Sequence, residues 1–181
     1  MTCIVGMLNG NGVTIGADSA GVSGTALVIR KDPKVFINGD FLIGCTSSFR
    51  MIQLLQYSLK VEKRPTKMDV HEYMCTTFID SVRKTFKDGG YLQKETDGEE
   101  KGGLFLVGYE GRLFKIDTDF QVGESFDGFE SVGCGDDFAL GSLCTTRGIL
   151  DMSVEERITL ALKVASERSS GVRPPFILKT I

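Results

Sequence analysis

The apolar positions in the first quarter of the chain fall in short, nearly continuous runs that predict β-strands. Residues 2–8 and 13–18 are two such runs, and the sequence NGNG between them predicts a hairpin turn. Further runs follow at 26–30, 35–37 and 41–45, and we expect the first two of these to pair. Because the runs do not alternate with polar residues, both faces of the sheet should be covered.

Helical spacing then replaces the strand pattern, with apolar residues at every third or fourth position. One helix around residues 51–59 should end before Pro65, and a second should begin at 66–69 and end at Gly89. Strands are predicted at 104–109, 113–116 and, at a sheet edge, 172–180, with a mobile surface loop at 91–103 and further helices at 136–147 and from 154 onward. The last helix opens with a capping box, Ser153 to Glu156.

The order of these elements is strands, two helices, strands, two helices. That grouping favours sheets packed on each other with helices outside over alternating βαβ units, and thus an α+β class. A chain of 181 residues has the usual length of one domain, so 1–181 is interpreted as a single domain.

Composition excludes several classes of function. The net charge is −3, with 21 basic and 24 acidic residues interspersed, which argues against a nucleic-acid surface. No apolar run approaches the roughly 20 residues of a membrane span, and no secretory signal pattern is present, so we expect a cytoplasmic protein. The five cysteines are scattered without a CxxC pair, which favours reduced thiols over disulfides or a zinc site.

Most familiar catalytic constellations are absent from the sequence. His71 is the single histidine, and HEYMC has a cysteine where an HExxH zinc site needs its second histidine. One histidine supplies neither a multi-histidine metal site nor, on any evidence in the sequence, the base of a Ser-His-Asp triad. We therefore expect no metal and no cofactor.

The start of the chain offers a different chemistry. If Met1 is removed, Thr2 carries a hydroxyl nucleophile and, in its own α-amine, a base. An α-amine titrates near 7.7–8.0, so a nearby cation would help to keep it neutral, and a buried cation needs a carboxylate beside it. Asp18 ends the second predicted strand and Lys34 precedes a later one, so the two side chains can lie beside residue 2.

These residues resemble the start of a proteasome β-subunit, and most of all the bacterial HslV-type peptidase, which also begins Met-Thr. The motif GADS at 16–19 matches, as do the offsets of sixteen residues from Thr2 to Asp18 and thirty-two to Lys34. The resemblance implies the four-layer αββα sandwich of N-terminal nucleophile hydrolases, with two mostly antiparallel sheets flanked by helices. It also implies that Thr2 is the nucleophile, that Lys34 tunes its amine and that Asp18 holds Lys34.

Two later segments extend the resemblance. The sequence VGCG at 132–135 is similar to the family's Gly-Ser-Gly, and ERSSG at 167–171 to its Asp-x-x-Ser-Gly. Cys134, Glu167 and Ser170 would then stand in the polar network around the terminus. The oxyanion hole would come from a backbone N–H of Ser47 or Ser48, where the family usually has glycine.

The function implied by the resemblance is that of a threonine endopeptidase without cofactors. Such subunits form homo-oligomeric rings that enclose the active sites, and a partner AAA+ ATPase unfolds and feeds protein substrates. Two alternatives stay open at the level of sequence. One is a catalytically silent ring or scaffold protein of the same fold, and the other is an amidohydrolase that acts on a small amide from an open pocket.

Overall fold

The computed structural model describes residues 1–94 and 100–181. Within them, the strands are β1 (Cys3–Asn9), β2 (Gly12–Ala17), β3 (Ala20–Ser23), β4 (Ala26–Ile29), β5 (Val35–Asn38), β6 (Phe41–Cys45), β7 (Gln93–Lys94), β8 (Glu100–Lys101), β9 (Phe105–Tyr109), β10 (Arg112–Ile116), β11 (Val122–Glu124), β12 (Phe129–Gly133) and β13 (Ile177–Thr180). The α-helices are α1 (Phe49–Gln53), α2 (Val70–Tyr73), α3 (Ile79–Asp88), α4 (Asp136–Thr146) and α5 (Val154–Arg168). The π-helical segments Leu54–Ser58 and Met74–Phe78 extend α1 and join α2 to α3, so these pieces form two continuous helical stretches.

Two antiparallel sheets form the centre of the molecule. The first has the strand order β12-β1-β2-β13 and the second the order β11-β10-β9-β6-β5. The short hairpin β3–β4 is separate from both, and β7 pairs with β8.

Three apolar clusters show how the layers stack. The cluster between the two sheets consists of Ile4, Val13, Ile15, Ala17, Val35, Leu42, Leu106, Leu113 and Val132. A second cluster joins the outer face of the second sheet to the helical stretches 49–58 and 70–88. A third joins the outer face of the first sheet to α4 and α5. The chain is therefore an αββα sandwich, as predicted, and burial on both sides explains the continuous apolar runs.

Local sequence signals placed several elements correctly. The β1–β2 hairpin turns at Asn9–Gly12, and Gly10 has the positive φ of +60° that this turn requires. The capping box of α5 is present, since the Ser153 hydroxyl accepts from the Glu156 N–H and the Glu156 carboxylate accepts from the Ser153 N–H. Asp69 caps α2.

Other predictions were wrong in their pairing or omitted a strand. The run at 26–30 does not pair with 35–37, because β4 folds back on β3 and Pro33, which has no N–H, follows in the connection. Five strands were not foreseen, namely β3, β7, β8, β11 and β12. Of these, β7 and β8 pair within the segment that was predicted to be a loop, and β12 pairs with β1 from the other end of the chain. The predicted final strand is confined to β13, at the edge of the first sheet beside β2. Of the predicted loop 91–103, residues 95–99 lie outside the described part of the chain.

Over the described ranges, no helix is both long enough and apolar enough to cross a membrane. No group of three or more potential metal-ligating side chains occurs among the same residues. All five cysteines are free thiols.

Candidate active site

Thr2 lies at the entrance to β1, the strand between β12 and β2 in the first sheet. Cys3 pairs with Gly133 of β12, which brings the Thr2 backbone close to the end of that strand. A Cβ at Gly133 would lie 2.3 Å from the Thr2 carbonyl oxygen, and Gly133 has a φ of +112°, so glycine is required on both counts. The result is that Thr2 is held with only 5% of its surface exposed.

Asp18 and Lys34 meet Thr2 at one end of the two sheets. Asp18 follows β2 in the first sheet, and Lys34 directly precedes β5 in the second. The Lys34 ammonium donates to the Thr2 hydroxyl oxygen at 2.9 Å and to the Asp18 carboxylate at 2.7 Å. The Lys34 ammonium thus contacts both Thr2 and Asp18, although Asp18 and Lys34 lie 16 and 32 positions after Thr2 in the sequence.

The Asp18 carboxylate is fixed by backbone donors as well as by Lys34. Its Oδ1 accepts from the Cys3 N–H at 3.0 Å, and its Oδ2 accepts from the N–H groups of Ala20 at 2.8 Å and Arg173 at 3.2 Å. These donors come from β1, from β3 and from the connection between α5 and β13. The carboxylate cannot turn away from Lys34 without breaking several hydrogen bonds.

Burial governs the charge state of Lys34. Its side chain is 2% exposed and that of Asp18 is fully buried. Burial lowers the pKa of the Lys34 ammonium below its ordinary value of 10.5, while the neighbouring Asp18 carboxylate opposes that shift. The arrangement therefore holds a proton-donating cation against the Thr2 hydroxyl, with its charge compensated on the side away from Thr2.

Met1 occupies the space beside Thr2. Its side chain lies over Gly171, where a Cβ would come within 2.1 Å of the Met1 Cβ. The Thr2 hydroxyl donates to the Met1 carbonyl, and the Thr2 N–H donates to Cys134 Sγ at 3.2 Å. In this state the nitrogen of Thr2 is an amide, which has no basic lone pair.

The polar surroundings of the Thr2 nitrogen differ in part from those implied by the resemblance. Cys134 contacts this nitrogen, and its Sγ lies 3.2 Å from Ser169 Oγ. Glu167 and Ser170 are exposed, and neither side chain makes a hydrogen bond with any residue that the structure describes. The hydroxyl that reaches Cys134 is thus one position before Ser170. Two adjacent serines look alike in the sequence, and the extended backbone of Ser169 at the end of α5 decides between them.

Arg173 is a further residue near the site that the sequence did not indicate. Its guanidinium donates to three carbonyl oxygens at the end of α5, those of Ser166, Ser169 and Val172. Its backbone N–H binds Asp18. Arg173 therefore ties the end of a helix to the buried ion pair.

Ser47 and Ser48 lie between β6 and α1, on the cleft that contains Thr2. Ser47 has a φ of +60°, in the left-handed region that favours glycine. Its N–H donates to the hydroxyl of Thr46, and the Ser48 N–H donates to the carbonyl oxygen of Thr46 at 2.7 Å. The Ser48 hydroxyl caps α1 by accepting from the Arg50 N–H.

The two buried cysteines nearest to Thr2 are poor candidates for a nucleophile. Burial raises the pKa of the Cys3 thiol to about 12 and that of Cys45 well above its ordinary value. Both therefore remain protonated thiols at neutral pH, and neither is an activated thiolate.

No protein-family model matches the chain, and no curated protein matches it. Solved structures do match over nearly its whole length. BPH of Thiobacillus denitrificans in complex with epoxomicin superposes with a TM-score of 0.83 at 19% identity, covering 99% of this chain and 98% of that chain. HslV from Trypanosoma brucei gives a TM-score of 0.70 at 16% identity, with 99% and 98% covered, and an Anbu (Gly-1) mutant from Hyphomicrobium sp. strain MC1 gives 0.69 at 18%, with 98% and 80% covered. The chain therefore has the fold of the proteasome β and HslV type, that of the N-terminal nucleophile hydrolases.

Proposed function

We propose that this chain is a threonine-type peptidase of the proteasome β and HslV family, active once Thr2 is the first residue. The observation that carries the proposal is the position of the Lys34 ammonium, 2.9 Å from the Thr2 hydroxyl and 2.7 Å from Asp18. A buried lysine bound to a hydroxyl and to a carboxylate is what an N-terminal threonine nucleophile requires. The fold shared with HslV supports the same chemistry.

The reaction proceeds through an ester on Thr2. Thr2 Oγ attacks the peptide carbonyl carbon, and its proton moves to the α-amine, which then protonates the leaving amine as the C–N bond breaks. A water molecule, deprotonated by the same amine, hydrolyses the ester and restores the hydroxyl. Lys34 stabilises the negative charge that develops on Oγ and disfavours protonation of the amine. Cys134 Sγ, already in contact with the Thr2 nitrogen, orients that amine.

The backbone N–H of Ser47 is the better of the two oxyanion donors. Its partner is the Thr46 hydroxyl, which can rotate away, whereas the N–H of Ser48 is bound to a backbone carbonyl. An oxyanion beside Thr2 can therefore replace the hydroxyl at Ser47 without breaking a backbone hydrogen bond. The roles first assigned to Glu167 and Ser170 stay a proposal for the processed chain, with Ser169 as the hydroxyl that contacts Cys134 in this structure.

We extend the proposal to a homo-oligomeric ring with an AAA+ ATPase that supplies unfolded substrates. The similarity of the fold to HslV supports this assembly. Three consecutive large apolar side chains, those of Leu27, Val28 and Ile29, are also exposed on β4. Contiguous exposed apolar residues are typical of surfaces that associate.

A silent relative of the same fold is the second candidate. This candidate is favoured by the packing of Met1 against Gly171, since a chain that retains Met1 has an amide in place of the catalytic amine. Hydrolysis measured on the chain that begins at Thr2 discriminates between the peptidase and the silent relative.

The test is hydrolysis of an unfolded protein and of short peptides by the processed chain, compared with its Thr2→Ala and Thr2→Ser variants. We expect Thr2→Ala to abolish hydrolysis and Thr2→Ser to retain it, with Thr159→Ala, an exposed threonine on α5, as the matched control at the level of the parent. Equal rates for the parent and Thr2→Ala would overturn the proposal. A monomer in solution that still cleaves small amides would favour the amidohydrolase and contradict the ring.

A further inference from the structure

A small cleft adjoins the Thr2 hydroxyl. Its volume is about 70 Å³, well below the roughly 300–1,000 Å³ of a typical small-molecule pocket. The residues that line it are Met1, Thr2, Val22, Lys34, Cys45, Thr46, Ser47, Ser48, Phe49 and Ile52. If Thr2 attacks a peptide carbonyl, the side chain next to that carbonyl must enter this space, because reacting atoms lie only ~3–3.5 Å apart.

The part of the cleft wall that β6 and α1 form stays the same when Met1 is removed. Removal of Met1 opens the side beside Gly171, but Cys45 belongs to β6, and Phe49 and Ile52 belong to α1. Phe49 and Ile52 pack against the apolar cluster under the second sheet. The depth of the cleft on this side is therefore set by the fold.

The Phe49 ring is held in place by Arg30. The Arg30 guanidinium lies 3.9 Å from the ring centroid and is fixed in turn by two hydrogen bonds to Asp32, at 2.9 and 2.7 Å. Gly21 of β3 leaves room for this contact, since a Cβ there would lie 2.8 Å from Arg30 Cδ and 3.5 Å from the edge of the Phe49 ring. The ring thus reaches from α1 to the hairpin β3–β4 and closes the cleft between them.

The cleft lining disfavours the entry of ionised substrate side chains. Lys34 is the one charged side chain in the lining, and its ammonium is already bound to Asp18 at 2.7 Å. A carboxylate or ammonium of a substrate would lose water in the cleft without gaining a free partner.

We propose that the cleft admits only a small uncharged side chain, such as that of alanine or serine, on the residue whose carbonyl Thr2 attacks. Phe49 determines this specificity, and Arg30 is a positioning residue that acts through Phe49. The inference rests on the proposed peptidase function and adds to it the class of peptide bond that is cleaved.

The experiment uses the processed chain and two epoxyketone reagents. One reagent carries a leucine side chain beside the epoxyketone, and the other carries an alanine side chain at the same place. The Thr2 hydroxyl adds to the ketone and the Thr2 amine opens the epoxide, so the adduct forms without a leaving group. The rate of adduct formation is measured by intact mass, together with kcat/KM for peptides that differ only in alanine, leucine, phenylalanine or aspartate before the cleaved bond.

We expect the alanine reagent and peptide to react at least tenfold faster than the leucine ones, because one methylene group in a pocket changes selectivity by roughly 10–200-fold. Phe49→Ala should raise the rates with leucine at least tenfold and leave those with alanine within about threefold, which also shows that the variant is folded. Arg30→Gln should shift the ratio in the same direction, chiefly through KM. Arg112→Gln is the matched control, since Arg112 also pairs with a carboxylate, that of Glu124, and lies over Phe114, away from the cleft.

A parent protein that reacts with leucine or phenylalanine as fast as with alanine would overturn the inference and leave the peptidase proposal intact. So would a ratio that Phe49→Ala leaves unchanged. If neither reagent modifies Thr2, the peptidase proposal fails, and the inference fails with it.

Discussion

Replacement of Asp18 by asparagine tests the buried ion pair beneath Thr2. Asp18 and Lys34 are 2.7 Å apart, and their side chains are 0% and 2% exposed. Removal of one partner leaves the other charge buried and uncompensated, which costs about 3–5 kcal/mol. The carboxamide also places an NH₂ group where one carboxylate oxygen stood, so it faces either the N–H of Cys3 or the N–H groups of Ala20 and Arg173. For a domain of this size that loss corresponds to a decrease in Tm of about 6–20 °C.

The assay is urea unfolding followed by circular dichroism, because the sequence contains no tryptophan. Asp127→Asn is the matched control, since Asp127 pairs with Arg147 at the same 2.7 Å but at the surface. That exposed pair should contribute at most about 1 kcal/mol. If Asp18→Asn lowers the free energy of unfolding no more than the control does, the ion pair is not the buried, fixed element inferred here.

The pH dependence and a second substitution identify the cause of the loss. Lys34 has a pKa lowered below 10.5 in the folded state, so between the two values the unfolded chain binds more protons and stability rises with pH. Without the Asp18 carboxylate the pKa of Lys34 falls further, so the stability deficit of Asp18→Asn narrows as the pH rises from the Lys34 pKa of the variant to that of the parent, and stays constant from there to 10.5. Adding Lys34→Met should recover part of the stability. Strictly additive losses, or a deficit independent of pH, would refute the reasoning.

Substitutions at three further positions probe the neighbouring elements. Gly133→Ala places a Cβ 2.3 Å from the Thr2 carbonyl oxygen at a φ of +112°. We expect the free energy of unfolding in urea to fall by about 1–3 kcal/mol or more and labelling of Thr2 to be lost, and parental stability would contradict this. Ser153→Ala removes the capping box with Glu156 and should lower stability by about 1 kcal/mol with an unchanged labelling rate, and a slower rate would show that α5 is coupled to the site. Cys134→Ser should keep the labelling rate and Cys134→Ala should slow it by up to roughly tenfold, the value of one hydrogen bond, whereas equal rates would exclude a role in orienting the amine.

Local sequence chemistry was sufficient for the elements whose signals are local. The turn NGNG, the cap at Asp69 and the capping box at Ser153 each depend on residues within a few positions. Of the strands that were missed, β12 depends on a distant partner instead. β12 pairs with β1, and its residues Phe129–Gly133 follow a glycine-rich stretch that is typical of a loop.

The sequence predicted only the part of the candidate site that consists of side chains at defined separations along the chain. Thr2, Asp18 and Lys34 were predicted together and lie together in the structure. Backbone donors leave no such signal, so the contribution of the Arg173 N–H to Asp18 was not foreseen. The identity of the hydroxyl near Cys134 depends on the backbone at the end of α5, which spacing alone does not determine.

The central claim is that Thr2, as an N-terminal residue, is the nucleophile beside Lys34. Its most direct test is the intact mass of the processed chain before and after reaction with the alanine-derived epoxyketone, followed by mapping of the modified peptide. We expect one adduct per chain, located on Thr2 and absent from Thr2→Ala and from the chain that retains Met1. An unmodified processed chain, or an adduct on any other residue, would contradict it.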